Sequence, residues 1–278
     1  MEVHSPDGKV PTRALDGNYF HKPSPARMWN YLQGGKDNYP LDRIAGDAMA
    51  DEHPSIFELA KQTRQFQTRA MRFVAEEGGV RQFLDIGCGL PAPPELDNVH
   101  DVAQRIHSDA RVVYVDNDKV VLAHARALLT TSTPGAGATA YIEADVQDVD
   151  TILSQAADTL DLSQPAAVSL LGVLGHVADL QEAYSIVTRL MAEVPIGSFL
   201  IQADGFDDGA ELHHGVQKRN ETGIDPYHLR TVAEMSGYFR GLEIVEPGIG
   251  SVTAWRPNLP LLRSAPRVLQ YGAVAGKS

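Results

Sequence analysis

FLDIGCGLPAPPE, residues 83–95, is the stretch on which the fold turns. An apolar run ends in Asp85, and Gly87 and Gly89 follow with one residue between them. Glycines at a strand end let the backbone turn tightly and let a ligand come close to it. Two cofactor classes use such a loop: dinucleotides and S-adenosylmethionine. GCGLPA also matches the dinucleotide pattern G-x-G-x-x-A. Two features oppose that match. Pro91, Pro93 and Pro94 follow at once, and a residue before proline avoids the helical region. The next helix is therefore expected near Asn98, too late to aim its N-terminus at a diphosphate. The second feature is Asp85 itself, which would repel a diphosphate and suits the ammonium of a methionine moiety.

Outward from this loop, the chain alternates short β-rich runs with helical periodicity. QFLDI (82–86), RVVYVD (111–116), TAYIEA (139–144), AAVSLLG (166–172) and SFLIQAD (198–204) read as strands. The first, second and fourth are nearly continuous in apolar residues, as expected of strands covered on both faces. The pattern predicts an α/β fold with a mostly parallel sheet. Val99, Val102, Ala103 and Ile106 give a helix face capped by Asn98. A second face uses Val120, Val121, Ala123, Ala127 and Leu128 behind Asp118. A third uses Ala183, Ile186, Val187, Leu190 and Met191, and stops before Pro195. LEIV (242–245) and VLQYGAVA (268–275) read as two late strands joined by a Gly/Pro-rich stretch, and TTSTPGAGATA (130–140) as a loop. Residues 1–78 look mainly helical, broken at Gly34–Gly35 and Pro54, and read as an N-terminal cap or lid on a core spanning 79–278.

Three acids close successive strands: Asp85, Asp116 and Asp145. All fall at the carboxyl edge of the expected sheet, where open α/β folds bind ligands. Asp116 can hold ribose hydroxyls in either cofactor class. In Glu143-Ala144-Asp145-Val146 a carboxylate can accept a hydrogen bond from an adenine amino group. A lone D-x-G-x-G is a weak signal, but its repetition by an acid at the next two strand ends points to S-adenosylmethionine. Asn117, Val146 and Leu171 sit at the same strand ends and are expected cofactor contacts.

Charge narrows the partners. The net charge is -12, and no Lys/Arg run is present. Neither nucleic acid nor an anionic membrane is expected as a partner. No apolar run reaches the ~18 residues of a spanning helix, and the polar start MEVHSPDGKVPTRALDG shows no signal-peptide pattern. The single cysteine, Cys88, cannot form an internal disulfide, which makes a cytoplasmic location the natural reading. His213 and His214 would point about 100° apart on a helix, so no metal is expected. His100 is expected to face a loop, and His107 to end a helix.

The blocks PARMWNYLQGGKDNYPLDR, RQFLDIGCGLP, NVHDVAQ, RVVYVDNDKVVLAHARALL, GLEIVEPG and WRP make the chain resemble a family. It is the actinobacterial family of S-adenosylmethionine-dependent methyltransferases, formerly a domain of unknown function. The resemblance runs from about Pro23 to Lys277. Its first block is the most specific, since methyltransferases in general lack it. It implies a class I Rossmann-like fold with a seven-stranded, mostly parallel sheet whose last strand is antiparallel. The chain departs from the family in LDGNYFHKPSPAR, in Cys88 where Thr is common, and in LLGVLGHVAD, where Gly175 is extra. The last departure weakens a catalytic role for His176.

Class I methyltransferases commonly close the cofactor pocket with an N-terminal segment. That gives NYLQGGKDNYPLDR (30–43) an expected role, with Lys36, Asp37 and Asn38 over the cofactor or substrate. Arg64, on the next long helix, is expected at the methionine carboxylate, which a guanidinium matches in bidentate fashion. His176 and Tyr39 are the candidates for a general base, which alignment alone can make unnecessary. Trp29, Tyr31 and Tyr39 either stack on a ligand or pack in the core. Cys88 shows no adjacent base, so it is not expected to be a nucleophile. The expected activity is methyl transfer from S-adenosylmethionine to a small-molecule acceptor. The alternative is a non-catalytic regulatory protein that binds S-adenosylmethionine or S-adenosylhomocysteine. A nicotinamide-dependent oxidoreductase is disfavoured by the prolines.

Overall fold

The computed structural model describes residues 21–93, 96–128, 137–257 and 268–278, with the backbone alone for 125–128. The polar start, Pro94, the side chains of Ala127 and Leu128, most of the 130–140 loop and the end of the Gly/Pro-rich stretch lie outside the described residues.

Among the described residues three α-helices precede the sheet: α1 (Pro25–Leu32), α2 (Pro40–Glu52) and α3 (Ile56–Glu76). α1 ends where Gly34 turns the chain at φ 86, and α2 ends at His53, before Pro54. β1 (Gln82–Ile86) then alternates as a strand with both faces covered. Phe83 enters one hydrophobic cluster, and Leu84 and Ile86 enter another. α4 (Val99–Ile106) is capped by Asn98 and Asp101 reciprocally. β2 (Arg111–Asp116), α5 (Lys119–Leu128), β3 (Thr139–Glu143), α6 (Val149–Ala156), β4 (Ala167–Leu171), α7 (Leu180–Ala192) and β5 (Phe199–Gly205) continue the alternation. Val112, Ala167 and Ile201 share the cluster of Phe83, and Val113, Val168 and Leu200 that of Leu84. α8 (Glu211–Glu221), α9 (Val232–Ser236), β6 (Glu243–Ile244), β7 (Gly250–Ser251) and β8 (Gln270–Gly276) complete the chain.

The first five strands are parallel, and β8 is antiparallel to β5. β6 is antiparallel to β8 and so runs with the first five. The order is β3-β2-β1-β4-β5-β8-β6, the expected seven-strand path, and the short β7 pairs β8 beside it. α3 and α4 cover the Phe83 face, and α6 and α7 the opposite face. α3 therefore belongs to the layered core, although it lies within the segment expected to be a cap. α2 packs against α8, so the cap over the sheet's carboxyl edge joins an early helix to a late one. Among the described residues no helix is long and apolar enough to cross a membrane.

Candidate functional site

The carboxyl ends of β1, β2, β3, β4 and β5 open into a cavity of about 940 Å³, roofed by residues 22–29, α3 and α8. The strand period puts Asp85 on the Phe83 face, under α3, where Arg64 and Gln67 sit one turn apart. Gln67 Nε2 donates to both oxygens of Asp85, at 3.0 and 3.1 Å. Arg64 Nη1 donates to Gln67 Oε1 at 2.7 Å and Nη2 to Leu90 O at 3.2 Å, while Nε is buried without a partner. Burial pushes the Asp85 carboxyl up to about 6, although the Arg64 charge pulls the other way. The acid's direct partner Gln67 is a neutral amide, so the acid has no ion pair of its own, and an ammonium group would supply one.

Gly87 and Gly89 both hold left-handed backbone, at φ 69 and φ 64. A side chain at Gly87 would also meet Val173 at 2.7 Å. Asp116, on the next strand, ties the loop down. Its Oδ2 accepts from the Gly89 amide and its Oδ1 from the Asp118 amide, each at 2.9 Å. Burial pushes Asp116 up to about 6 against these hydrogen bonds. Asn117 Nδ2 donates to Asp145 Oδ2 at 2.9 Å, which couples the ends of β2 and β3. Val146 and Leu171 line the cavity beside them. Ala92, between Pro91 and Pro93, is held by Asn98, whose Oδ1 accepts from its amide at 2.8 Å. The Cys88 thiol is pushed well up by burial and by Asp116 and Asp85, so it stays protonated and inert.

The other half of the cavity is more apolar, with Trp29, Met49, Leu212, Val216 and Leu229 in its walls. His176 and Tyr227 meet edge to face there, with ring centroids 5.1 Å apart. His176 Nδ1 lies 2.9 Å from Pro226 O. A carbonyl only accepts, so Nδ1 holds the proton and Nε2 is the acceptor. Burial first, and the Arg219 charge second, press His176 down to about 4. The Tyr227 hydroxyl donates to buried Asp204 at 2.7 Å and accepts from the Gly205 amide at 3.1 Å. This tyrosine explains the extra glycine before His176, because a Cβ on Gly175 would fall 2.3 Å from its ring.

The segment over the cavity is not the loop singled out in the sequence. Lys36 and Tyr39 are exposed and outside the cavity lining. Asp37 and Asn38 are bound instead to Asn30, whose Oδ1 accepts from the Asp37 amide at 3.0 Å and from Asn38 Nδ2 at 3.1 Å. A Cβ on Gly35 would strike the Asn30 side chain. Asp42 completes the clamp. It accepts from Arg27 Nε at 2.7 Å, from the Ser24 amide at 2.9 Å and from the Tyr39 amide at 2.8 Å. The loop holds α1 against α2, and so fixes residues 22–29 above the site. Ser24 Oγ donates to Asp118 at 2.7 Å, and Lys22 pairs with Asp225 across the mouth.

The structure thus gathers Asp85, Gly87, Gly89, Asp116, Asn117, Asp145, Val146, Arg64, Leu171 and His176 around one cavity and leaves Lys36 and Tyr39 outside its lining. Of the aromatic trio, Trp29 lines the cavity, Tyr31 packs edge-on against Phe57 and Tyr39 lies beside Arg27. His100 is buried against the Tyr114 hydroxyl rather than facing a loop, because it stands on the inner side of α4. Sequence reasoning passed over Gln67, Ser24, Arg219 and Tyr227. Gln67 alone left a signal, its i+3 spacing from Arg64.

The profile of a family described as S-adenosyl methyltransferase matches residues 11–278. A DUF574-family protein from Streptomyces avermitilis is 40% identical, covers 93% of this chain and 99% of its own, and superposes with a TM-score of 0.86. A Thermobifida fusca protein named as a candidate methyltransferase is 34% identical over 94% of this chain and 97% of its own, with a TM-score of 0.85. The plantazolicin methyltransferase BpumL, solved with S-adenosylhomocysteine, shares the fold at 14% identity and a TM-score of 0.52, over 91% of this chain and 95% of its own. No curated protein sequence matches the chain.

Proposed function

We propose, from the premise that the chain belongs to the S-adenosyl methyltransferase family, that it moves the methyl group of S-adenosylmethionine to a small molecule held in the same cavity. The residues fit that cofactor. Asp85 would take the ammonium and Arg64, with its buried unpartnered Nε, the carboxylate of the methionine end. Asp116 would hold the ribose hydroxyls beside Gly89, and Asn117, Asp145 and Val146 the adenine end, with Leu171 between.

The bound cofactor supplies a methyl group that its sulfonium already makes electrophilic. The chain then has to align an acceptor and exclude water. Residues 22–29 and α8 close over the site. His176 offers a neutral Nε2 as a hydrogen-bond acceptor, and with its pKa near 4 it orients an O–H or N–H rather than removing its proton at neutral pH.

One observation carries this reading: the cavity is continuous from the strand-end acids to the apolar walls under α8. Calorimetric titration with S-adenosylhomocysteine, with NAD as control, tests the cofactor. S-adenosylhomocysteine release across a small-molecule panel tests the transfer. Binding of NAD alone would overturn the proposal. Tight S-adenosylhomocysteine binding with no transfer to any panel member would favour a non-catalytic binding protein.

A further inference from the structure

Arg219 is a buried cation at the acceptor half of the cavity. It sits in the last turn of α8, is 2% exposed, and contributes to the cavity wall. Its Nη1 donates to Asn220 Oδ1 at 2.6 Å and to Asp225 O at 2.7 Å. Nε and Nη2 donate to no group among the described residues, so three of the five guanidinium N–H groups are spare. The Asp225 carboxylate pairs with Lys22 and acts on Arg219 only through space, with no ion pair between the two. The other groups around Arg219 are neutral: Asn220, the Tyr227 ring 5.8 Å away and His176. A cation taken out of water with no directly paired anion and an incomplete set of acceptors is costly. A ligand that brings an oxyanion would satisfy it.

We infer that the methyl acceptor carries a carboxylate on a largely apolar body, and that the Nε–Nη2 edge of Arg219 binds that carboxylate. The planar fork matches two carboxylate oxygens. A single cation beside a neutral histidine suits a monoanion better than a phosphate dianion. Trp29, Leu212, Val216 and Leu229 supply the apolar walls for the remainder. The inference rests on reading this half of the cavity as the acceptor site.

Two probes of equal shape test it: 3-phenylpropionate and 3-phenylpropionamide. Each is titrated into the full chain with and without saturating S-adenosylhomocysteine, so a failure to bind the cofactor product is scored separately from a failure of the carboxylate site. The expected result is at least tenfold tighter binding of the carboxylate. Arg219→Gln should reduce the carboxylate to the level of the amide while S-adenosylhomocysteine affinity stays the same. Arg219→Lys, which keeps charge but loses the fork, should fall between. Equal binding of the two probes, binding of neither at millimolar concentration, or a preference that survives in Arg219→Gln would overturn the inference. The wild-type comparison needs no variant, so a misfolded Arg219→Gln does not remove the test.

Discussion

At Asp85 and Asp116 burial sets a pH dependence whose sign can be worked out. Both carboxyls are pushed up to about 6 in the folded chain, against about 4 for an unfolded aspartate. Between those values the folded state holds protons that the unfolded state has released. Their contribution to stability therefore falls as pH rises through that window and stays unfavourable above it. Cofactor affinity should move the opposite way. An ammonium needs the ionised Asp85, so the Kd for S-adenosylhomocysteine should be flat above about pH 7 and weaken below about pH 6. Calorimetry across pH 5 to 8 checks this, and a Kd that tightens on acidification would refute it. Asp85→Asn should lose on the order of 1.5–3 kcal/mol of S-adenosylhomocysteine affinity. Its stability at pH 7 should stay level or rise, since a buried charge is gone. At Gly87 the φ of 69 and the contact with Val173 act together. Gly87→Ala should lower both thermal stability and affinity, and an unchanged melting curve would show that the loop relaxes freely.

At the scale of elements, the block of the first helices is a clamp for the roof. Arg27 and Asp42 form a pair with side chains 2% and 0% exposed. Removing one partner of a buried pair strands the other, at about 3–5 kcal/mol. Asp42→Ala should therefore lower stability by that amount in urea unfolding. The Lys22–Asp225 pair is exposed at the cavity mouth, at 58% and 56%. Lys22→Ala should leave stability within about 1 kcal/mol of wild type. If the mouth pair holds the roof down, the same variant should release S-adenosylhomocysteine faster in stopped-flow displacement; an unchanged release rate would assign the pair to the surface alone. Another anchor lies at WRP. Arg69 on α3 donates to the carbonyls of Trp255 and Val252, at 2.9 and 2.6 Å, and Trp255 packs edge-on against Phe66 and Phe73. α3 is thereby fixed to the last strands, and the Arg64–Gln67 turn is fixed over Asp85.

For the whole molecule, the site lies between parts far apart in the chain. The roof comes from residues 22–29, α3 and α8, and the floor from five strand ends. A ligand that touches all of them stabilises the assembly as a unit. S-adenosylhomocysteine at a hundredfold excess over its Kd should add about 2.7 kcal/mol, or roughly 5–10 °C in melting temperature for a chain of this size. NAD should add nothing, and a shift with NAD alone would reverse the cofactor assignment. The net charge of -12 acts at longer range. It would repel an anionic acceptor before any contact with Arg219, so association of 3-phenylpropionate should quicken as salt screens the surface.

What the sequence by itself determined was whatever is written in short-range pattern. Strand and helix periods placed the layers, and the family resemblance implied the seven-strand path. Asp85-x-Gly87-x-Gly89, with an acid at the ends of β2 and β3, marked the cavity floor, because each of those residues is positioned by its own strand. Arg64 was singled out by its chemistry, a guanidinium on the next long helix, and it lines the same cavity. The roof was not legible. Lys22 meets Asp225 across 203 positions, Ser24 meets Asp118 across 94, and His176 meets Pro226 across 50. No local period links such residues, and only the tertiary packing brings them together. The loop of Lys36 to Asn38 was misread because a glycine pair followed by polar residues looks alike whether it faces a ligand or holds two helices. The tertiary contacts of Asn30 and Asp42 decided between those roles, since a buried donor or acceptor must be paired where the chain has folded around it.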